Sequence, residues 1–417
     1  MPQKGLFATL RLRDFRRVWT AEVISDAGSF VTFIALAVYV HDLTGKTFAV
    51  GLALALRTIP WVLIGPIGGV IADRMDRRTV MISCDLIRAV LVATLPFTHA
   101  AWQAYVLSFA SGLFSPLFRP ARQALLPTIA PGENYVRALA LSEVSHQVLH
   151  TIGPALGGAA VLAVGARHAF FLDALSFLVS ASFLVGVRTR GASRRPRTVG
   201  EVTSELGDGI RIMRRDRLVS RLVLARGVVL FGVGDGFTAL LLVYLSGRGL
   251  GAGAYGVALA VAGLGTAVGT SVLARRHAGA PRTVPLVISG VAPLLLLLFV
   301  FRPEFAVLLA VLVALGGAGA GMALYLNASI AERMPDEARG RIFSLTGAVY
   351  EACELAGALM LTAVGSRIGS ARGIVGGGAL TAIAAAIVVI PTVTLMRASD
   401  RERAVLSSPH APVSDPE

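Results

Sequence analysis

Glu22 and Asp26 stand four residues apart inside a long apolar run, so a helix there carries both carboxylates on one face. Glu351 and Glu354, three apart, do the same in a second run, and Glu143, His146 and His150 share one side of a third. Ionisable side chains in such surroundings are costly and point to function. Two neighbouring carboxylates in a low-dielectric cavity do not both stay charged without a partner, which suits a proton carrier. Facing acids also suit a cationic substrate. Arg57 lies at comparable depth in the following run and offers Asp26 a partner. A static ion pair that fixes helix packing is the plain alternative to a carrier, as a hydrogen-bonded packing role is for His146 and His150. The i, i+4 histidines also match a metal pair, but no third ligand accompanies them, and no metal or other cofactor is expected. No nucleophile–base triad, phosphate-cradling loop or ATPase segment is recognisable, so the chain does not read as an enzyme. Any work it does draws on an ion gradient or on the gradient of its substrate.

The elements that hold these residues are apolar runs long enough to cross a bilayer, for which about 20 residues suffice. They fall near 18–40, 48–72, 79–97, 102–121, 138–164 and 168–187, then near 220–246, 253–274, 283–301, 304–330, 342–364 and 373–396. That makes twelve spans in two sets of six, with the fourth and eighth least distinct. The 417 residues are 55% hydrophobic and only 15% charged, with a mean hydropathy of +0.71, far from an ordinary soluble enzyme. The formal charge of +14 fits membrane topology better than nucleic acid, because no soluble domain is left to bind it. Cys84 and Cys353 both lie in apolar runs, so no disulfide is implied. The first run is full length and lacks a small-residue cleavage site, so no cleaved leader is expected.

Basic residues orient the spans. Of the 39 Lys and Arg, 32 fall on the side that carries both termini, against Lys46, Arg167, Arg248, Arg302, Arg367 and Arg372 on the other, with Arg57 alone placed mid-span. The positive-inside rule makes the richer side cytoplasmic. Asp26 then lies about 13 Å from the inner end of its span, and Glu351 about as deep in the eleventh.

The chain divides into a six-helix set over 1–187, a linker over 188–219, a second set over 220–397 and a tail over 398–417 that is expected to be disordered. The linker spaces Val199, Val202, Leu206, Ile210 and Met213 helically, the pattern of an amphipathic helix on the inner membrane surface. A shift of 204 residues lays Arg78-Thr79-Val80 on Arg282-Thr283-Val284, Pro131 on Pro335, Arg137 on Arg341 and Gly153 on Gly357. One offset across separate loops marks an internal repeat. It maps His146 onto Tyr350 and His150 onto Glu354, so both sets should face one central cavity.

Between the second and third spans an apolar, glycine-rich run ends in Asp73, Arg74, Asp76, Arg77 and Arg78. Gly69-x-x-x-Asp73-Arg74-x-x-Arg77-Arg78 resembles the signature loop between helices 2 and 3 of the major facilitator superfamily, with Asp76 at its usual central glycine. That variant is similar to the branch of macrolide efflux proteins, the enterobactin exporter and Tap-type multidrug efflux pumps. Pro120-Ala121-Arg122-Gln123-Ala124-Leu125-Leu126-Pro127 and Gly153-Pro154-Ala155-Leu156-Gly157-Gly158 add to the resemblance, which covers nearly the whole chain. The second matches most of the helix-5 motif typical of drug antiporters, with Leu149 where a further glycine stands.

The resemblance implies an all-α membrane protein with twelve transmembrane helices in two pseudo-symmetric six-helix bundles. It implies that Asp73 reaches the start of helix 11 near Arg341 and latches an inner gate; a purely topogenic loop is the alternative. It also implies that a bend at Gly153-Pro154 limits proton leak. One departure is plain: the best-known drug–proton antiporters carry an arginine midway along helix 4, where this span offers only Arg119 and Arg122 at its inner end, so that relay does not transfer. Asp85 and Arg88 read as support for the hinge, Asp173 and Asp235 as structural or gating groups.

The expected function is proton-coupled export of amphiphilic or cationic small molecules, as in drug or secondary-metabolite efflux, by alternating access. The expected place is a bacterial cytoplasmic membrane with both termini inside. The expected partners are a small-molecule substrate, protons and the lipid bilayer, with no nucleic acid, and the chain is expected to act as a monomer. A siderophore, lipid or metabolite carrier of the same fold is the alternative. A non-transporting membrane sensor is the reading from another class, and it has no need of buried acids in a cavity.

Overall fold

The computed structural model describes residues 6–73, 76–188, 199–276, 283–334 and 336–406. Helices fill nearly all of it and no strand occurs among the described residues. The first half comprises α1 (Arg13–Thr44), α2 (Thr47–Asp73), α3 (Arg77–Thr94), α4 (Ala101–Gly112), α5 (Ser115–Ile129), α6 (Glu133–Val164) and α7 (Ala166–Val185). Then come α8 (Val199–Arg215), α9 (Arg217–Val233), α10 (Asp235–Ser246), α11 (Ala252–Arg276), α12 (Thr283–Val291), α13 (Phe305–Arg333), α14 (Asp336–Ile368) and α15 (Ser370–Leu406).

The internal repeat is visible in the turns. The shift of 204 residues carries Gly45 onto Gly249 and Gly165 onto Gly369, and all four lie at positive φ, 64°, 75°, 80° and 93°. Only glycine takes that conformation without strain, so the same residue closes the equivalent turn in each half.

Nine helical segments among the described residues are long and apolar enough to cross a membrane, and ten if α6, bent by 47° between Glu133–His150 and Ile152–Val164, is taken as one span. The chain is therefore a multi-pass membrane protein. A count of twelve also needs the fourth and ninth runs, which are irregular. The fourth breaks at Leu113-Phe114 into α4 and α5, just ahead of Pro116, and Pro120 and Pro127 lie within α5. The ninth turns from α12 into a 3-10 stretch, Ala292–Phe301, at Pro293. Proline removes a backbone donor and clashes with the preceding turn, which accounts for both breaks. The eighth run, expected to be indistinct, is one helix, α11, whose many small residues lower its hydropathy without interrupting it.

The boundaries expected near 220 and 397 move. Asp216 caps α9, its Oδ1 accepting from the backbone N–H of Leu218 at 2.9 Å and of Val219 at 3.1 Å, so the seventh span starts at Arg217. α15 runs on to Leu406, nine residues into the segment read as a disordered tail. The sequence from Arg397 to Leu406 contains no proline or glycine to stop it. Residues 407–417 lie outside the described residues. The linker helix α8 packs against α2, α9 and α14.

Packing separates the two faces of the molecule. Toward the α1–α2 turn, buried apolar side chains of both helix sets form one cluster, from Ile34, Leu36 and Leu54 through Leu240, Tyr255 and Phe299. Toward the α2–α3 connection, the described buried residues form two clusters. Phe15, Met81 and Leu125 mark the one in the first set, and Leu222, Leu286 and Ile342 the one in the second. The sets meet through α2 against α14 and α6 against α11. Val90, Leu175, Val268 and Ile387 stand exposed on the outside, as a lipid-facing perimeter requires.

Candidate functional site

A polar cavity of about 450 Å³ lies between the helix sets. All eight candidate coupling residues, Glu22, Asp26, Arg57, Glu143, His146, His150, Glu351 and Glu354, line it. α1 contributes the first two, α2 Arg57, α6 the next three and α14 the last two. Helical spacing does this directly: each group recurs at three or four residues and so faces one way.

Within the cavity Asp26 is partnered by His146, with Oδ2 and Nδ1 3.2 Å apart. It is not partnered by Arg57, the pairing expected from depth alone. α1 packs against α6, and this brings the α6 histidine to the α1 acid. The rings of His146 and His150 are 4.4 Å apart between centroids, and Phe30 closes on His150 at 5.1 Å. Glu22 forms a buried ion pair with Arg122 on α5 at 3.0 Å. The Trp19 indole N–H donates to the Ser145 hydroxyl at 2.9 Å, tying α1 to α6 one turn away.

Several lining residues carry other roles in the sequence reading. Arg88 was assigned to the hinge, yet its Nη2 donates to the Ser29 hydroxyl at 3.1 Å and its guanidinium stacks 4.0 Å from the centre of the Phe177 ring. Its helix neighbour Asp85 accepts from the Ser180 hydroxyl at 2.6 Å. Arg57 donates to the Ser29 carbonyl at 3.3 Å and faces the Phe33 ring. Arg119, Arg122 and Asp235 also line the cavity. Asp235 meets the second helix through the Thr58 hydroxyl at 3.4 Å. Arg226, counted among the basic residues of the cytoplasmic side, lies well inside α9 with its guanidinium 5.1 Å from the centre of the Tyr350 ring. The signal for Arg88 and Arg226 was present, since each interrupts an apolar run, but counting them with the basic residues of the inner face disguised it.

The whole of Arg74 and the side chains of Asp73 and Arg341 lie outside the described residues, so the latch is not described. Arg77 donates to the Ala124 carbonyl at 2.8 Å, and Arg78 to the carbonyls of Leu184 at 3.0 Å and Val185 at 2.5 Å. Both cations therefore sit at the C-terminal ends of α5 and α7, where the helix dipole favours them.

The helix-5 motif lies in α6 at its bend. Proline at 154 withholds the bond to the His150 carbonyl and crowds it, and the two segments part at Thr151. Gly153 faces the Phe30 ring, Gly157 the Phe30 carbonyl, and Gly158 the Cα of Gly256 on α11.

Membrane-crossing helices in two repeated sets around a shared polar cavity define a membrane transporter of the major facilitator fold. The chain matches the transmembrane secretion effector family over residues 4–414 and belongs to it. It is 28% identical to the uncharacterized MFS-type transporter YfiS of Bacillus subtilis, over 66% of this chain and 65% of that one. It is 23% identical to macrolide efflux protein A of Streptococcus pyogenes, over 52% of this chain and 55% of that one. The chain thus spans between about half and two-thirds of the length of these curated relatives. Its fold is that of a bacterial homologue of the human lysosomal transporter Spinster in an inward-facing, unoccupied conformation, with a TM-score of 0.71 at 13% identity over 95% of this chain and 99% of that one.

Proposed function

We propose that the chain is a proton-coupled exporter of amphiphilic or cationic small molecules in a bacterial cytoplasmic membrane, with both termini in the cytoplasm. Its two six-helix halves rock about the cavity in alternating access. The observation that carries the reading is that Asp26 on α1 and Glu351 on α14 line the same cavity from opposite halves. A carboxylate there is neutral when it lacks a partner, because an isolated buried charge costs several kcal/mol. A proton entering from outside neutralises it and releases a cationic substrate outward, and opening to the cytoplasm lets the proton go. Asp26 lies 3.2 Å from His146 in the wall of this cavity, where both a proton and a substrate can reach it. The relationship to macrolide efflux protein A favours export over uptake.

In proteoliposomes, Asp26→Asn or Glu351→Gln should abolish uphill, proton-driven efflux and spare downhill substrate counterflow, since a permanently neutral side chain binds but does not titrate. Full proton-driven efflux in the double variant would remove both acids from the mechanism.

A further inference from the structure

Charge is unevenly satisfied around the cavity. Among the described residues its ion pairs are Glu22–Arg122 and Asp26–His146, both within the first helix set. Arg57 and Arg88 take part in neither. They converge on one residue, Arg57 donating to the Ser29 carbonyl and Arg88 to the Ser29 hydroxyl, and Arg88 Nε is buried without an acceptor. Asp173 shares a small side pocket with both arginines, and its Oδ1 accepts from the Ser176 hydroxyl at 3.1 Å. One carboxylate there faces two guanidiniums. On the opposite wall Glu351 and Glu354 have no hydrogen-bond or ion-pair partner among the described residues. Asp235 beside them accepts from the Thr58 hydroxyl and also lies in the field of Arg57.

Two guanidiniums of the first helix set thus share one carboxylate, Asp173, while two carboxylates of the second, Glu351 and Glu354, form no ion pair among the described residues. We infer that the substrate is a zwitterion whose anionic end, a carboxylate or phosphate, docks between Arg57 and Arg88 and whose ammonium faces Glu351 and Glu354. A guanidinium pair suits such an anion because it offers several charge-assisted donors in fixed directions. A simple cation would satisfy the acids and leave two guanidiniums sharing the one carboxylate of Asp173. An adjoining, mainly apolar lobe of about 580 Å³ lined by Val229, Leu230, Val233 and Leu315 meets this cavity at His146 and His150 and takes the apolar body of the molecule. The inference rests on the transport reading above and names the substrate class of the same cavity.

The test uses the full-length protein in detergent and three forms of one dipeptide, leucyl-phenylalanine: free, N-acetylated (anion only) and C-terminally amidated (cation only). A parallel series replaces the carboxylate by a lipid phosphate: lysophosphatidylethanolamine, lysophosphatidic acid and dodecylamine. Calorimetric titration should show the zwitterion of one series binding about tenfold or more tighter than both its single-charge forms. The series that shows this preference tells a free solute from a lipid head group. Arg88→Gln should bring the zwitterion down to the level of the cation, and Glu354→Gln to the level of the anion. Equal affinity of zwitterion and cation in both series overturns the inference, and this comparison on the unaltered protein needs no variant to fold. Retained preference in both Arg57→Gln and Arg88→Gln overturns the assignment of the anion site. In proteoliposomes, movement of cations alone would sink the zwitterion and leave the exporter. Tight zwitterion binding without any movement would sink the exporter and leave the site.

Discussion

His146 Nδ1 lies 3.2 Å from Asp26 Oδ2, and the pair joins α6 to α1 at the wall of the central cavity. The acid is thus not alone in the membrane: it is paired with an imidazole from a neighbouring helix. If the two act as one unit, their effects do not add. His146→Gln should lower proton-driven efflux less than Asp26→Asn does, and the double variant should be no worse than Asp26→Asn alone. Counterflow should persist in all three. Additive losses of counterflow and folded yield would instead mark the pair as packing.

Glu22 and Arg122 differ from that pair in burial, with side chains 12% and 4% exposed. Breaking a buried pair from one side leaves an uncompensated charge and costs roughly 3–5 kcal/mol. Arg122→Leu should therefore lower the thermal midpoint of the detergent-solubilised protein markedly, and adding Glu22→Leu should restore most of it. A carrier role for Glu22 gives a different pattern, loss of uphill efflux in Glu22→Gln at near-normal stability.

The membrane class, the repeat and the cavity acids were legible because helical periodicity and the cost of buried charge act locally in sequence. Glu22 and Asp26, or Glu351 and Glu354, declare a face by spacing alone. Partner choice was not legible. Depth suggested Arg57 for Asp26, but α1 lies against α6, and only tertiary packing reveals that His146 is nearer. By sequence Arg122 reads as an inner-end residue, but α5, which begins after the break at Leu113-Phe114, holds it against Glu22. Arg88 failed for a similar reason, since its neighbours Ser29 and Phe177 come from other helices.

Orientation is tested at exposed positions. Lys46 in the α1–α2 turn and Arg302 before α13 should react with an impermeant thiol reagent from outside intact cells when replaced by cysteine. Glu133 at the start of α6 and Arg211 on α8 should not. The basis is the 32-to-6 division of basic residues. Labelling of Lys46→Cys and Glu133→Cys from the same side would overturn it.

The two helix sets meet toward the α1–α2 turn at glycine contacts related by the repeat. Gly158 on α6 meets the Cα of Gly256 on α11, and a Cβ at Gly51 on α2 would collide with Thr362 on α14. The shift of 204 residues carries Gly158 onto Thr362 and Gly51 onto Tyr255, next to Gly256, so the two contacts are counterparts to within one residue. Both lie toward the α1–α2 turn, where the apolar cluster shared by the two sets also lies. A side chain at either site has no room, and backbone rather than a flexible tip stands in the way at Gly158. Gly158→Val should therefore wedge this face apart and favour the state open there, leaving each set internally intact. Spin labels at Lys46→Cys and Arg367→Cys, with Cys84 and Cys353 replaced by alanine, should report a longer distance in the Gly158→Val protein. Proton-driven efflux should fall while the thermal midpoint changes little. An unchanged label distance together with loss of folded protein would show that Gly158 serves packing within its half and takes no part in closing the face.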